Sequence, residues 1–127
     1  MSKLFELYVL GLLKDQFGNG VKYHFTKNGN ELDYLLNIQG YQMVVDAKYK
    51  ECYQNYYDIK DIRQLSGYSR ITKVYKELGK NENEVIDCLI IYPDQHQGNE
   101  DFKDIKLIPI KEFVHFYKVP VKIPIIG

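Results

Sequence analysis

The sequence contains no tryptophan, only two cysteines and four prolines, and no excess charge of either sign, since 17 lysines and arginines balance 17 aspartates and glutamates. Each shortage excludes something. A neutral chain does not advertise nucleic-acid binding through its overall field, so any such function needs a local basic patch. Cys52 and Cys88 have no metal-ligand spacing around them and read as free thiols of a reducing compartment. No apolar run approaches the roughly 20 residues of a membrane helix, and the first residues lack the pattern of a signal peptide. A cytoplasmic location with no membrane partner is therefore expected.

What is present is the make-up of one soluble globular domain, 1–127, with 45% hydrophobic and 27% charged residues. Its centre is the stretch 31–50, ELDYLLNIQGYQMVVDAKYK. Two alternating runs, 31–38 and 41–49, flank Gln39-Gly40 and predict a hairpin. With a two-residue turn, Ile38 faces Tyr41, Leu36 faces Met43, Tyr34 faces Val45, Asp33 faces Asp46 and Glu31 faces Lys48. Alternation puts Leu32, Tyr34, Leu36, Met43, Val45, Ala47 and Tyr49 on one apolar face, and Glu31, Asp33, Asp46 and Lys48 on the other.

Directly opposed Cβ atoms in a sheet lie about 4.5 to 5.5 Å apart, and like charges at that spacing destabilise it. A divalent cation held by Asp33 and Asp46 is the simplest compensation, because hard ions such as Mg²⁺ prefer carboxylate oxygens and often use only one or two of them. The plainer alternative is an exposed face whose acids are separated by water and offset by Lys48 and Lys50. The apolar run from Met43 to Ala47 favours the cation, since charges on a central strand are costly unless paired or metal-bound.

Residues 2–17 predict a helix with Ser2 as N-cap and Gly18-Asn19-Gly20 as its stop. Glu6 lies in line with Leu10, Leu13 and Phe17, and is either a flanking charge at the helix start or an acid aimed inward. Residues 21–26 predict a strand leading through Asn28-Gly29 into the central hairpin, which sets His24 opposite Asp33 as a surface histidine or a partner behind the acid. After a polar, aromatic loop at 51–57, residues 58–78 predict one helix ending at Gly79. Gln64, Tyr68, Ile71, Tyr75 and Leu78 form its inward stripe. Gln64 is there either for a core hydrogen bond or to orient water or phosphate. Lys60, Arg63 and Arg70 align on another face, the local basic stripe that a neutral protein needs to hold a phosphate backbone, although such stripes are more often solvated.

Residues 85–92 predict a strand covered on both sides, returning to the sheet by a right-handed crossover. Residues 94–104 read as a loop, 105–110 as an edge strand containing Pro109, 111–117 as a short helix, and the remainder as an apolar, proline-broken tail packing on the body or on a partner.

An N-terminal helix with Phe5-Glu6, an Asp on the second strand, Asp46-Ala47-Lys48 on the third and Gln64 on the next helix together resemble the PD-(D/E)xK nuclease superfamily. More narrowly, Leu4-Phe5-Glu6, the run Val45-Asp46-Ala47-Lys48-Tyr49-Lys50 and the run from Asp61 to Tyr68 resemble the nuclease domain of McrC-type subunits of 5-methylcytosine restriction systems. The resemblance covers residues 4–92. Leu32 stands where a proline often precedes the first acid, a position without chemistry. Subunits of that type are larger, with a region before the nuclease and a separate GTP-driven motor, so the resemblance implies a fragment, a truncated relative or a stand-alone nuclease.

The implied fold is α/β, a restriction-endonuclease-like α/β/α sandwich around a mixed sheet. The implied activity is Mg²⁺-dependent endonucleolytic hydrolysis of DNA, with Mn²⁺ able to substitute. Asp33, Asp46 and the Ala47 carbonyl would hold the metal and Glu6 would complete its shell. Lys48 would orient or activate water, Gln64 would position water or backbone, and Lys60, Arg63 and Arg70 would contact phosphates. Expected partners are DNA, a motor subunit and, for cutting both strands, a second copy. The competing class is a non-catalytic nucleic-acid-binding or protein-interaction module on the same scaffold.

Overall fold

The computed structural model describes residues 2–25 and 32–124. Among these, three helices and six strands follow in the order α1 (Ser2–Phe17), β1 (Val21–Tyr23), β2 (Tyr34–Ile38), β3 (Tyr41–Ala47), α2 (Ile59–Tyr68), α3 (Thr72–Leu78), β4 (Asp87–Pro93), β5 (Ile108–Pro109) and β6 (Phe116–Val121). The strands form one mixed sheet in the order β1-β2-β3-β4-β6-β5. The inner strands β3, β4 and β6 are mutually parallel and the remaining pairs antiparallel. Helices cover both faces, so the architecture is the α/β/α sandwich the sequence implies.

The hairpin register is the expected one. Tyr34 faces Val45, Leu36 faces Met43 and Ile38 faces Tyr41, with Gly40 taking the positive φ of 90° that the tight turn requires. Tyr23 faces Tyr34 and Val21 faces Leu36, the register an Asn28-Gly29 turn would set. The turn itself, the Glu31–Lys48 pair and the Ser2 cap lie outside the described residues and side chains.

On one face Phe5, Val9 and Leu13 of α1, spaced by four, bury against Tyr34, Leu36, Met43 and Val45. On the other, Ile62 and Leu65 of α2 and Val74 and Leu78 of α3 bury against Leu35, Val44, Cys88 and Ile90. Leu32 packs with this second cluster, not with Tyr34 as the alternation suggested. It precedes the first ladder residue of β2, where the period of two no longer binds it.

Two expected elements are corrected. The helix at 58–78 is two helices, broken at Ser69–Ile71. Ile71 is extended (φ −74°, ψ 129°), and the last turn of α2 tightens as Arg70 N–H bonds Gly67 O and Ser69 Oγ donates to Ser66 O at 2.7 Å. Ser66, Gly67 and Ser69 are weak helix formers that offer the backbone such alternatives, and the break re-aims the chain so that α3 buries Val74 and Leu78.

Residues 111–117 are not a helix. Ile110 N–H bonds Phe116 O at 2.9 Å, closing the β5–β6 connection, and Glu112 and His115 adopt positive φ. The supposed tail supplies β6, an inner strand with Val119 and Val121 fully buried. Pro120 is tolerated because β5 pairs β6 only through Tyr117 and Lys118, so no ladder bond is lost.

Candidate active site

The site forms where β3 ends. Asp46 faces the α2 side and is buried, 3% exposed. The strand runs on past its last ladder residue, held by Lys48 N–H to Ile91 O at 2.8 Å, which sends Lys48 to the same side as Asp46. Its Nζ stands 3.3 Å from Asp46 Oδ2 and 3.7 Å from Asp61 Oδ1, and donates to Gln64 Oε1 at 3.4 Å. Asp33, just before β2, accepts the Ala47 N–H on Oδ2 at 3.0 Å.

Glu6, left open between two roles, is aimed inward. Its carboxylate is bonded by Lys3 Nζ at 3.0 Å and by the Tyr23 hydroxyl at 3.0 Å. It also shares a hydrogen bond with Asp33, and the Tyr34 hydroxyl donates to its main-chain carbonyl. His24 reaches Glu6 Oε1 at 3.4 Å, and its main-chain N–H donates to Asp33 O at 2.9 Å. Glu6, Asp33, Ala47, Lys48 and Lys3 thus line one cleft of about 410 Å³.

The carboxyls are not equivalent. Burial pushes Asp33 up to about 8, helped by the Asp46 charge and the bond to Glu6. For Glu6 burial acts upward too, but the hydrogen bonds from Asp33, Lys3 and Tyr23 outweigh it and bring the carboxyl to about 2. Burial also raises Asp46, against the pull of Lys48. For Lys48 burial acts downward and is outweighed by Asp46 and Asp61, so the ammonium is held charged.

Asp33 and Asp46 with the Ala47 carbonyl make a hard-oxygen donor set. Among the described residues no three His, Cys, Asp or Glu side chains close around one point. The set fits Mg²⁺, which uses one or two carboxylates and keeps waters. The burial and the Asp46 charge that make Asp33 retain a proton are what such an ion offsets.

No family model and no curated protein matches the sequence. Among solved structures, 96% of the chain superposes on a chain of the tetradecameric assembly of Thermococcus gammatolerans McrB AAA+ hexamers with bound McrC, with 21% identity and a TM-score of 0.59. The likeness is one of fold. The present chain spans 28% of the length of that McrB–McrC assembly chain.

Within this shared architecture the sequence reading missed a supporting layer. Lys50 Nζ bridges Asp58 at 2.9 Å and Asp61 at 3.0 Å, and the buried Tyr53 hydroxyl donates to Asp61 at 2.7 Å. Asp58 also caps α2 by accepting Lys60 N–H. The signal was present: Lys50 lies two residues beyond Lys48 on an extended chain, and Asp58 and Asp61 are three apart at a helix start. Asp61 pins both lysines to α2, which fixes Lys48 beside Asp46.

The basic stripe does not survive as one face. Lys60 and Arg63 are exposed on α2. Arg70 follows the break and lines a separate cavity of about 520 Å³ with Cys88, His115 and Phe116, residues at or before the starts of β4 and β6, whereas Asp46 stands level with Ile90 farther along. Arg70 is thus at the opposite end of the sheet from the acids.

Proposed function

We propose that this chain is a metal-dependent nuclease domain hydrolysing phosphodiester bonds in DNA, within a restriction or DNA-defence system. The grouping of Asp33, Asp46 and Lys48 at the end of β3 carries the reading, because an acid that keeps its proton to about 8 beside a second buried acid marks a site that gains by exchanging the proton for a divalent cation. The fold likeness to a chain of a McrB–McrC assembly supports the defence context and a motor partner of the AAA+ kind.

Asp33, Asp46 and the Ala47 carbonyl would hold Mg²⁺, with Glu6 beside them. When bound, the ion supplies Lewis acidity, polarising the scissile phosphate and lowering the pKa of a water. Lys48, kept as an ammonium by Asp46 and Asp61, orients water by donation and offsets negative charge developing on phosphorus-bound oxygens. It does not serve as a base, since Asp46 and Asp61 outweigh the burial that favours the neutral amine. Gln64 holds Lys48 through Oε1 and receives its own orientation by donating to the Tyr68 hydroxyl at 3.2 Å. Lys60 and Arg63 offer phosphate contacts from α2, while Arg70 could meet only a distant part of a long duplex.

The test is Mg²⁺-dependent cleavage of DNA by the wild type and Asp46→Ala. Removing Asp46 leaves Lys48 with Asp61 and Gln64 and removes the like charge beside Asp33, so the fold persists. Loss of roughly 4 kcal/mol of charge stabilisation lowers the rate by about 10³. Undiminished cleavage by a folded Asp46→Ala protein would remove these acids from the chemistry.

A further inference from the structure

The acid cleft has a neighbour of about 360 Å³. It opens at the carboxyl ends of the three parallel strands: Tyr49 and Glu51 follow β3, Pro93 and His96 close β4, and Ile123 and Pro124 follow β6. Crevices outside the carboxyl ends of parallel strands are where open α/β sheets bind ligands. Tyr49 lines both this cleft and the acid cleft, so it forms the wall between them. Its ring is 42% exposed and braced by the edge of Phe5, with centroids 5.6 Å apart.

The lining selects a ligand class. No lysine or arginine contributes, and Glu51 does, so a phosphate is unwelcome. Tyr49, Pro93 and Pro124 present flat apolar surfaces. Gln54 and His96 also line it, and among the described residues their side chains make no hydrogen bond or ion pair. The floor is fixed, because Gln95 Nε2 donates to Ile123 O at 2.8 Å and Gln95 Oε1 accepts Ile123 N–H at 2.6 Å. Flat stacking surfaces with a free amide, an imidazole and a carboxylate are the complement of a heterocyclic base carrying an exocyclic amino group.

We propose that this cleft is a nucleobase subsite, taking one unstacked base of the strand whose phosphate lies in the acid cleft. The inference rests on the phosphodiesterase reading. A base inside a duplex is covered on both faces, so the subsite accepts a single-stranded or extruded nucleotide. Tyr49 is the stacking platform, and Glu51, Gln54 and His96 meet the base edge.

The experiment compares binding of a single-stranded oligodeoxyadenylate and an abasic oligomer of equal length. Fluorescence anisotropy is read with Ca²⁺ in place of Mg²⁺ so that turnover does not intervene. Stacking of one base predicts roughly tenfold tighter binding of the adenylate. Tyr49→Phe keeps that preference, and Tyr49→Ala erases it. The double variant Gln54→Ala/His96→Ala, confined to exposed side chains, reduces it without endangering the fold. Equal affinity of the wild type for both oligomers, or a preference that survives Tyr49→Ala and the double variant, overturns the subsite alone. Failure of the wild type to bind either oligomer while Mg²⁺-dependent cleavage is intact overturns the subsite alone, and failure of both binding and cleavage overturns the nuclease reading with it.

Discussion

Raising the pH of the metal-free protein strips the proton from Asp33, and the fold loses stability as this happens. Asp33 keeps its proton to about 8, against 3.8 for an ordinary aspartate. Between those values the folded chain binds more protons than the unfolded one, so stability falls with rising pH across that window and the full contribution is present only below it. Glu6 acts in the opposite sense. Brought to about 2 from 4.5, it contributes stability present above the ordinary value and lost as pH falls toward 2. The two carboxyls share one hydrogen bond, so part of what Asp33 retains is what Glu6 releases. At roughly 1.36 kcal/mol per pH unit the whole shift would amount to several kcal/mol; because it is shared with Glu6 through that bond and water reaches the carboxyls, the lost stability is on the order of 1–2 kcal/mol.

For a chain of this length 1 kcal/mol moves the melting midpoint by about 4 °C. The metal-free wild type should therefore lose about 4–8 °C more than Asp33→Asn between about pH 5 and pH 8.5, because the amide still accepts the Ala47 N–H but does not titrate. Saturating Mg²⁺, which binds the deprotonated acid, should restore the wild type at high pH and release protons as it does so. Melts at several pH values with and without Mg²⁺ provide the readings. Parallel pH curves for the two metal-free proteins would refute the reasoning.

Lys48→Met should leave Mg²⁺ binding intact by calorimetry while turnover falls about 10²–10³-fold, the usual cost of losing a donor aimed at developing charge; unchanged turnover would take Lys48 out of the reaction. Asp61→Ala leaves the buried Tyr53 hydroxyl without its acceptor and breaks the bonds to Lys50, so chemical denaturation should show a loss of about 2–4 kcal/mol, and a loss below about 1 kcal/mol would show that the network contributes little. Gly98→Ala would place a Cβ 2.3 Å from Asp94 O and 2.4 Å from the Val121 carbonyl carbon. The clash with main chain should cost about 3 kcal/mol or more, and an unchanged melting midpoint would contradict the close packing of the 94–98 turn on β6.

The hairpin and its acids were legible because a two-residue turn fixes register, and register fixes which side chains can meet. From Gln39-Gly40 alone the positions of Tyr34, Val45 and Asp46 follow. Asp33 was legible by the same rule although it lies one residue before the observed strand, held there by its own bond to Ala47. What the period of two could not supply was the reach of long side chains across elements. Lys3 and Tyr23 complete the electrostatics from α1 and β1, and no local pattern marks them as neighbours. Leu32 failed for the converse reason, being assigned by alternation just where the ladder stops.

The misread C-terminal third has a shared cause, which bears on how the molecule meets its substrate. Sequence separation hid that β6 inserts between β4 and the edge strand expected at 105–110, a non-local choice decided by burying Val119 and Val121. The same insertion brings Ile123 and Pro124 alongside Pro93 and Tyr49, creating the second cleft next to the acids. The break between α2 and α3 carries Arg70 away to the far end of the sheet. Among the described residues, positive charge near the acids is thus limited to Lys3, Lys48 and Lys50, with Lys60 and Arg63 exposed on α2, and each of those three lysines is engaged by an acid. A neutral domain so arranged has little electrostatic grip on a long duplex. It holds one phosphate well only when a base anchors the strand beside it or a partner delivers the DNA, and those two routes predict opposite dependence on duplex length when the domain acts alone.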